Sequence, residues 1–213
     1  MKVSYSTAQL LDSSIVIVNL IAFAVLCHQF LLAAFACMTL AAYFIQREVR
    51  SLKAWATLLG LSFPTSNWKT LLFMGLGLLT GLFLGFLYRQ HLETTLWPKA
   101  FVWFGLMAAT IGAGEELIYR GYVQGVWRKK NKLAAILIAA FAHTAYKVAL
   151  FLLVPIAVEI DFLFLIKWTF LVGLLFGGLR EWSGSIVPVV LAHAVFDILV
   201  YSNEGYVPWW VWG

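Results

Sequence analysis

The sequence predicts an all-α protein, a polytopic bundle of about six or seven transmembrane helices. Hydrophobic residues make up 62% of the 213 and charged residues only 12%, whereas an average soluble domain has about 25% charged residues. Apolar runs of 18 or more nearly uncharged residues recur, which is typical of helices that cross a bilayer. Sixteen glycines and ten tryptophans fit close helix packing in lipid and aromatic belts at the membrane surface.

The length suits a single integral membrane domain over residues 1–213. Three parts are predicted within it. N-terminal helices and an interfacial segment occupy residues 1–96, a core of helices with buried charged residues occupies 97–201, and an aromatic interfacial tail occupies 202–213.

The first apolar stretch, residues 13–45, is too long for one upright span. As a single helix it would extend about 50 Å, whereas the hydrocarbon core of a bilayer is about 30 Å thick. Two short helices that turn near His28 and Gln29 are therefore favoured over one tilted helix. A polar, basic and interfacial segment follows at residues 46–69.

The next span, residues 70–88, is rich in glycine. Gly77, Gly81 and Gly85 recur every four residues and line one face of the predicted helix, which indicates a packing seam against another helix. Further spans are predicted near residues 97–127, 133–153, 163–179 and 185–201.

Basic residues predict the orientation in the membrane. They fall in two clusters, and cytoplasmic loops carry an excess of lysine and arginine. Both clusters then lie on the cytoplasmic side, and the alternation of the spans agrees with this. These features predict that the protein contacts the lipid bilayer and that it does not bind nucleic acid. The clusters are Arg47, Arg50 and Lys53, and Arg128, Lys129, Lys130 and Lys132.

An acidic motif, Glu115-Glu116-x-x-x-Arg120, interrupts the apolar span at 97–127. A charged group at the centre of a bilayer costs roughly 3 kcal/mol on insertion scales, so such groups need a partner or a task. On an α-helix Glu116 and Arg120 share a face and can pair, whereas Glu115 points about 100° away from Glu116. Glu116 is therefore predicted to be structural and Glu115 to be the freer carboxylate.

Buried ionisable residues on three predicted spans lie at similar depths. Glu116, His143 and His193 each lie roughly 14 to 18 Å from the cytoplasmic end of their span, at a rise of 1.5 Å per residue. Asp197 follows His193 by four residues and shares its helix face. We therefore expect the two glutamates, the two histidines, Asp197 and Arg120 to converge on one intramembrane cavity.

Two chemistries suit this set of residues. In the first, a carboxylate helped by a histidine deprotonates water for attack on a peptide carbonyl, and the second histidine with the aspartate stabilises the oxyanion. In the second, Glu115, His143 and His193 bind zinc and leave a position open for water. The spacing differs from the HExxH of helical zinc proteases, and the residues leave both chemistries open.

The ordered motifs resemble the CPBP family of intramembrane proteases. These motifs are Glu115-Glu116-x-x-x-Arg120, a histidine in the next span, and His193-x-x-x-Asp197. The family includes CAAX prenyl endopeptidases of the Ras-converting type and bacterial relatives tied to bacteriocin processing and immunity. The resemblance covers about residues 100–201.

The resemblance implies a role for each residue of the set. Glu115 would activate water with His143 as its partner, and His193 and Asp197 would form the oxyanion-side pair. Glu116 and Arg120 would support the site.

Two positions depart from the pattern of the family. Ala139 stands where the family usually has phenylalanine, and Asp197 stands where asparagine is common. An aspartate accepts hydrogen bonds where the amide of asparagine could donate one. This difference puts the oxyanion role of Asp197 in question.

The leading interpretation is an intramembrane endopeptidase that cleaves a membrane-associated peptide or protein from the cytoplasmic side. No metal is favoured, and zinc is the alternative. The chain resembles bacterial proteins, for which the bacterial cytoplasmic membrane is predicted and prenylated CAAX tails are not expected as substrates. A second interpretation is a non-catalytic immunity or scaffold protein of the same fold. A third, a proton-coupled transporter, predicts internal repeats, and the sequence shows none.

Overall fold

The computed structural model describes residues 7–49, 51–61, 67–153 and 160–202, and within these ranges it contains helices and turns but no strand. The predicted all-α class is therefore confirmed. In chain order the helices are α1 (Thr7–Leu26), α2 (Leu31–Glu48), α3 (Leu52–Leu59), α4 (Asn67–His91), α5 (Trp103–Glu116), a π-helix (Leu117–Val123), α6 (Gln124–Trp127), α7 (Lys132–Leu152), α8 (Phe162–Ser183) and α9 (Val187–Tyr201).

Among the described residues, 4 helices are long and apolar enough to cross a membrane, namely α1, α4, α7 and α8. The bent pair α2 and α3 would bring the number to 5. These helices confirm a polytopic membrane protein, with a count close to the predicted six or seven. Two predicted spans are not single helices of sufficient length. The α5–α6 segment is interrupted by the π-helix, and α9 has only 15 residues.

The long first apolar stretch folds as the two predicted helices. α1 ends at Leu26, a turn covers Cys27 to Gln29, and α2 begins at Leu31. The ring of His28 holds this turn, because its Nε2 lies 2.7 Å from the carbonyl oxygen of Leu150.

The chain forms two compact units, each built from two stretches of sequence. The first unit comprises Met1–Leu59 and Tyr119–Gly178, and the second comprises Gly60–Ile118 and Leu179–Gly213. The boundary passes through the π-helix, so Glu115 and Glu116 belong to the second unit and Arg120 to the first. The single integral membrane domain stays a prediction.

The glycine face of α4 packs closely against α9 within the second unit, which confirms the predicted seam. A Cβ added at Gly81 would collide with the carbonyl oxygen of Ala192, and one added at Gly85 would lie 2.8 Å from Leu199 Cδ1. Gly77 meets the backbone of Pro188 in the same way. Because only glycine permits this approach, the seam sets the register of α9 along α4.

A buried arginine anchors the far end of α9. The guanidinium of Arg89, at the end of α4, donates hydrogen bonds to the carbonyl oxygens of Leu199 (2.7 Å) and Thr95 (2.6 Å). A cation beside the last carbonyl groups of a helix is stabilised by the helix dipole. The seam and this anchor together hold α9 at both ends, with His193 between them.

Two predicted segments are only partly described. Of the predicted aromatic tail at 202–213 only Ser202 is described, and the interfacial segment 46–69 is described only at 46–49, 51–61 and 67–69.

Candidate active site

In the second unit, α5 and α9 bring three carboxylates around one imidazole. His193 Nδ1 donates a hydrogen bond of 2.8 Å to Glu116 Oε1. On the other side of the ring, Nε2 lies 3.7 Å from Asp197 Oδ2 and 4.0 Å from Glu115 Oε2. All four residues are buried. Both ring nitrogens of His193 therefore lie beside acidic side chains.

The hydrogen bond to Glu116 orients the His193 ring. A carboxylate only accepts hydrogen bonds when it is ionised, so the proton of Nδ1 faces Glu116. Nε2 is then the nitrogen that faces Glu115 and Asp197. In many catalytic and metal sites, one ring nitrogen of a histidine is hydrogen-bonded to a group that orients the ring, and the other nitrogen acts on the substrate or metal.

Gly112 makes room for this cluster. A Cβ at this position would collide with the carboxylate of Asp197 and would lie 2.9 Å from His193 Cδ2. Gly112 therefore lets the backbone of α5 approach the two functional side chains of α9. The sequence analysis did not identify it. Its only signal was its place on α5, one turn before the acidic motif.

In the first unit, Arg120 and His143 form a separate contact. Nη1 of Arg120 lies 2.9 Å from Nδ1 of His143, and the His143 ring packs against Tyr119 with ring centroids 4.7 Å apart. Arg120 is fully buried between α7 and α8, where its guanidinium lies 5.8 Å from the Phe176 ring centroid. Gly173 leaves space for it, since a Cβ there would lie 3.1 Å from Arg120 Nη2.

This contact determines which nitrogen of His143 carries the proton. A guanidinium has donors and no acceptor, so His143 Nδ1 must accept. The neutral ring then carries its proton on Nε2, and protonation of Nδ1 would remove the hydrogen bond to Arg120. His143 is thereby held as a neutral hydrogen-bond donor.

We expect nitrogen NMR of histidine-labelled protein to detect a neutral His143 with the proton on Nε2. Replacing Arg120 by methionine removes the donor, so Nδ1 and Nε2 should then both be partly protonated. Arg120→Lys, which keeps a donor, should retain more of the wild-type tautomer than the methionine variant. A protonated Nδ1 in the wild type would contradict the assignment.

The local helix type differs from the one assumed in the sequence analysis. The residues after Glu116 form a π-helix over Leu117–Val123, so the α-helical spacing used to align Glu116 with Arg120 does not apply there. π-helical turns occur frequently at functional sites. Within the second unit Glu116 contacts His193, and its pairing with Arg120 stays a prediction.

The predicted site residues thus occupy two described clusters. Glu115, Glu116, His193 and Asp197 come together in the second unit, and Arg120 and His143 come together in the first. The participation of His143 beside Glu115 stays a prediction.

A metal ion needs several ligands at one place. Among the described residues, no group of three or more His, Cys, Asp or Glu side chains is arranged to hold one. Zinc binding by Glu115, His143 and His193 stays a prediction.

Residues 95–199 match the family model of type II CAAX prenyl endopeptidase Rce1-like proteins. Over these residues the chain is similar to that family. The match includes all six predicted site residues and confirms the resemblance to CPBP proteases. The family is one of proteases, and the similarity together with the long apolar helices supports an integral membrane protein related to proteases. No curated protein and no solved structure matches the chain significantly.

Proposed function

We propose that the protein is an intramembrane endopeptidase that hydrolyses a peptide bond of a membrane-associated protein or peptide. Water activated by Glu115 is the nucleophile. The observation that carries the proposal is the His193 imidazole set among three buried carboxylates. Buried charges of this kind are costly in a membrane and are found mainly where they serve a function.

The first step uses the separation between Glu115 and His193. Glu115 Oε2 and His193 Nε2 lie 4.0 Å apart, which is too long for a direct hydrogen bond, and a water oxygen about 2.8 Å from both would bridge them. Glu115 accepts a proton from this water as its oxygen attacks the carbonyl carbon of the substrate. A tetrahedral intermediate with an oxyanion results.

His193 stabilises the oxyanion and Glu115 completes the reaction. The charged imidazole donates from Nε2 to the developing negative charge, while Nδ1 stays bonded to Glu116. Glu115 then returns its proton to the amide nitrogen, the C–N bond breaks, and a carboxylic acid and an amine leave. Atoms and charge balance without a further reactant.

Asp197 receives a different role from the one that the resemblance implies. Its carboxylate is an acceptor, so it cannot donate to an oxyanion while ionised. Its Oδ2 faces His193 Nε2 at 3.7 Å, a placement that supports the positive charge on His193. Aspartate at this position is therefore compatible with hydrolysis.

The resemblance implies that His143 assists Glu115 in the same reaction. The hydrogen bond from Arg120 supports a donor role for His143, since the proton lies on Nε2. Cleavage by His143→Ala measures this contribution.

The experiment is cleavage of a quenched membrane-peptide library by purified protein in detergent, with and without a strong chelator. We expect cleavage by the wild type at equal rates in both conditions. Loss of activity with the chelator and recovery with added zinc would contradict water activation by Glu115 alone and favour the zinc mechanism. Absence of cleavage across the library would favour the immunity or scaffold interpretation.

A further inference from the structure

A groove on the first unit is lined by residues that belong to neither cluster described above. It encloses about 430 Å³ between α3 and the end of α6, a volume within the usual range of small-ligand sites. Its described lining residues are Ser51, Lys53, Ala54, Thr57, Leu58, Gly125, Arg128 and Lys129.

The groove concentrates positive charge. Lys53 lines it from α3, and Arg128 and Lys129 line it from the turn after α6; the described lining residues include no carboxylate. Arginine offers a planar fork that matches phosphate oxygens, and lysine adds a point charge beside it. The composition of the groove therefore fits a phosphate group.

Close backbone packing holds the two sides of the groove together. A Cβ at Gly125 would lie 2.6 Å from the carbonyl oxygen of Leu58, so glycine allows α6 to touch the backbone of α3. Ser51 caps the start of α3, where its Oγ accepts a hydrogen bond from the amide of Ala54 at 3.1 Å. These contacts hold together the two helices on whose sides Lys53, and Arg128 with Lys129, line the groove.

The helix α3 has the character of a membrane-surface helix. Leu52 is 88% exposed and directly precedes Lys53, so the helix carries an exposed apolar side chain about 100° around its axis from a basic one. Helices with this character lie at the boundary between lipid headgroups and acyl chains. The positive-inside rule predicts that both basic clusters face the cytoplasmic leaflet, whose surface is anionic.

We propose that this groove binds the phosphate headgroup of an anionic phospholipid of the cytoplasmic leaflet. The three cations would contact the phosphate, and Leu52 would contact the acyl chains. A groove in the second unit also encloses about 430 Å³, and its described lining includes one acid, Glu93, and one base, Lys99. These two charges balance, so the second groove is not expected to bind an anion. The proposal therefore depends on the basic lining of the first groove and not on its volume.

The test is native mass spectrometry of the full chain in detergent, titrated with phosphatidylglycerol or phosphatidylcholine. The wild type should retain phosphatidylglycerol in preference to phosphatidylcholine. The double variant Lys53→Gln and Lys129→Gln should bind phosphatidylglycerol about 25-fold more weakly, since each cation that contacts the phosphate in the groove should contribute about the fivefold change of a basic residue at an anionic surface.

The matched control is the double variant Lys130→Gln and Lys132→Gln. It removes the same amount of charge, here entirely from the second basic cluster, but no described lining residue of the groove. Its affinity should therefore stay within about twofold of the wild type. Circular dichroism and gel filtration check the fold of both variants. Equal losses in the two pairs, or no preference for phosphatidylglycerol, would overturn the proposal. Displacement of the lipid by equimolar inorganic phosphate would also overturn it, because the site would then recognise phosphate without lipid.

Discussion

Replacing Glu115 by glutamine is expected to lower kcat/KM for peptide cleavage by about a thousandfold. Glutamine has nearly the shape of glutamate but cannot accept a proton at neutral pH, so the variant loses the base that activates water. Positioned proton transfer contributes typically 10²- to 10⁴-fold to catalysis. The measurement is initial-rate cleavage of the best substrate found in the peptide library.

Glu93→Gln is the matched control for this variant. Glu93 belongs to the same unit and is exposed, so the same chemical change there should leave cleavage within about twofold of the wild type. Thermal unfolding in detergent shows whether both variants keep the native fold. Full activity of a folded Glu115→Gln variant would contradict the assignment of Glu115 as the base.

Replacing Gly112 by alanine is expected to lower kcat by about a hundredfold. The new Cβ would occupy the place of the Asp197 carboxylate and press on His193, so both side chains must move relative to Glu115 and Glu116. A misplacement of about 1 Å can cost about 10²-fold in rate. The measurement is the cleavage rate at saturating substrate.

Gly114→Ala tests whether the effect of Gly112→Ala comes from the site. Gly114 is on the same helix, and a Cβ there would meet no atom within 4 Å. Alanine should stabilise the helix by up to about 1 kcal/mol and leave cleavage within about threefold of the wild type. Similar losses in the two variants would mean that the helix backbone, and not the contact with His193 and Asp197, is responsible.

The helical fold could be predicted from the sequence because lipid leaves the chain few alternatives. Backbone groups in a bilayer must be satisfied internally, so long apolar runs become helices. The same physics predicted the turn near His28, since one helix over residues 13–45 would exceed the bilayer. The spacing of Gly77, Gly81 and Gly85 predicted a seam because small residues at this interval line one helix face.

The types of site residue were also predictable. Glu115, His193 and Asp197 stand out because charged groups in apolar helices are costly without a partner. Their order along the chain indicated the protease family. Which of these side chains contact each other was harder to predict. The prediction that Glu116 pairs with Arg120 assumed the residue spacing of an α-helix.

The sequence by itself determined the membrane fold, the family and the residues whose burial requires compensation. Only the tertiary structure decided that His193 bonds to Glu116, that Gly112 lies against His193 and Asp197, and that His143 accepts from Arg120. These contacts depend on the rotation and register of whole helices. Close packing at glycines sets both, and it involves helices that are far apart in the sequence. The π-helix changes the direction of side chains after Glu116 in a way that residue spacing does not encode.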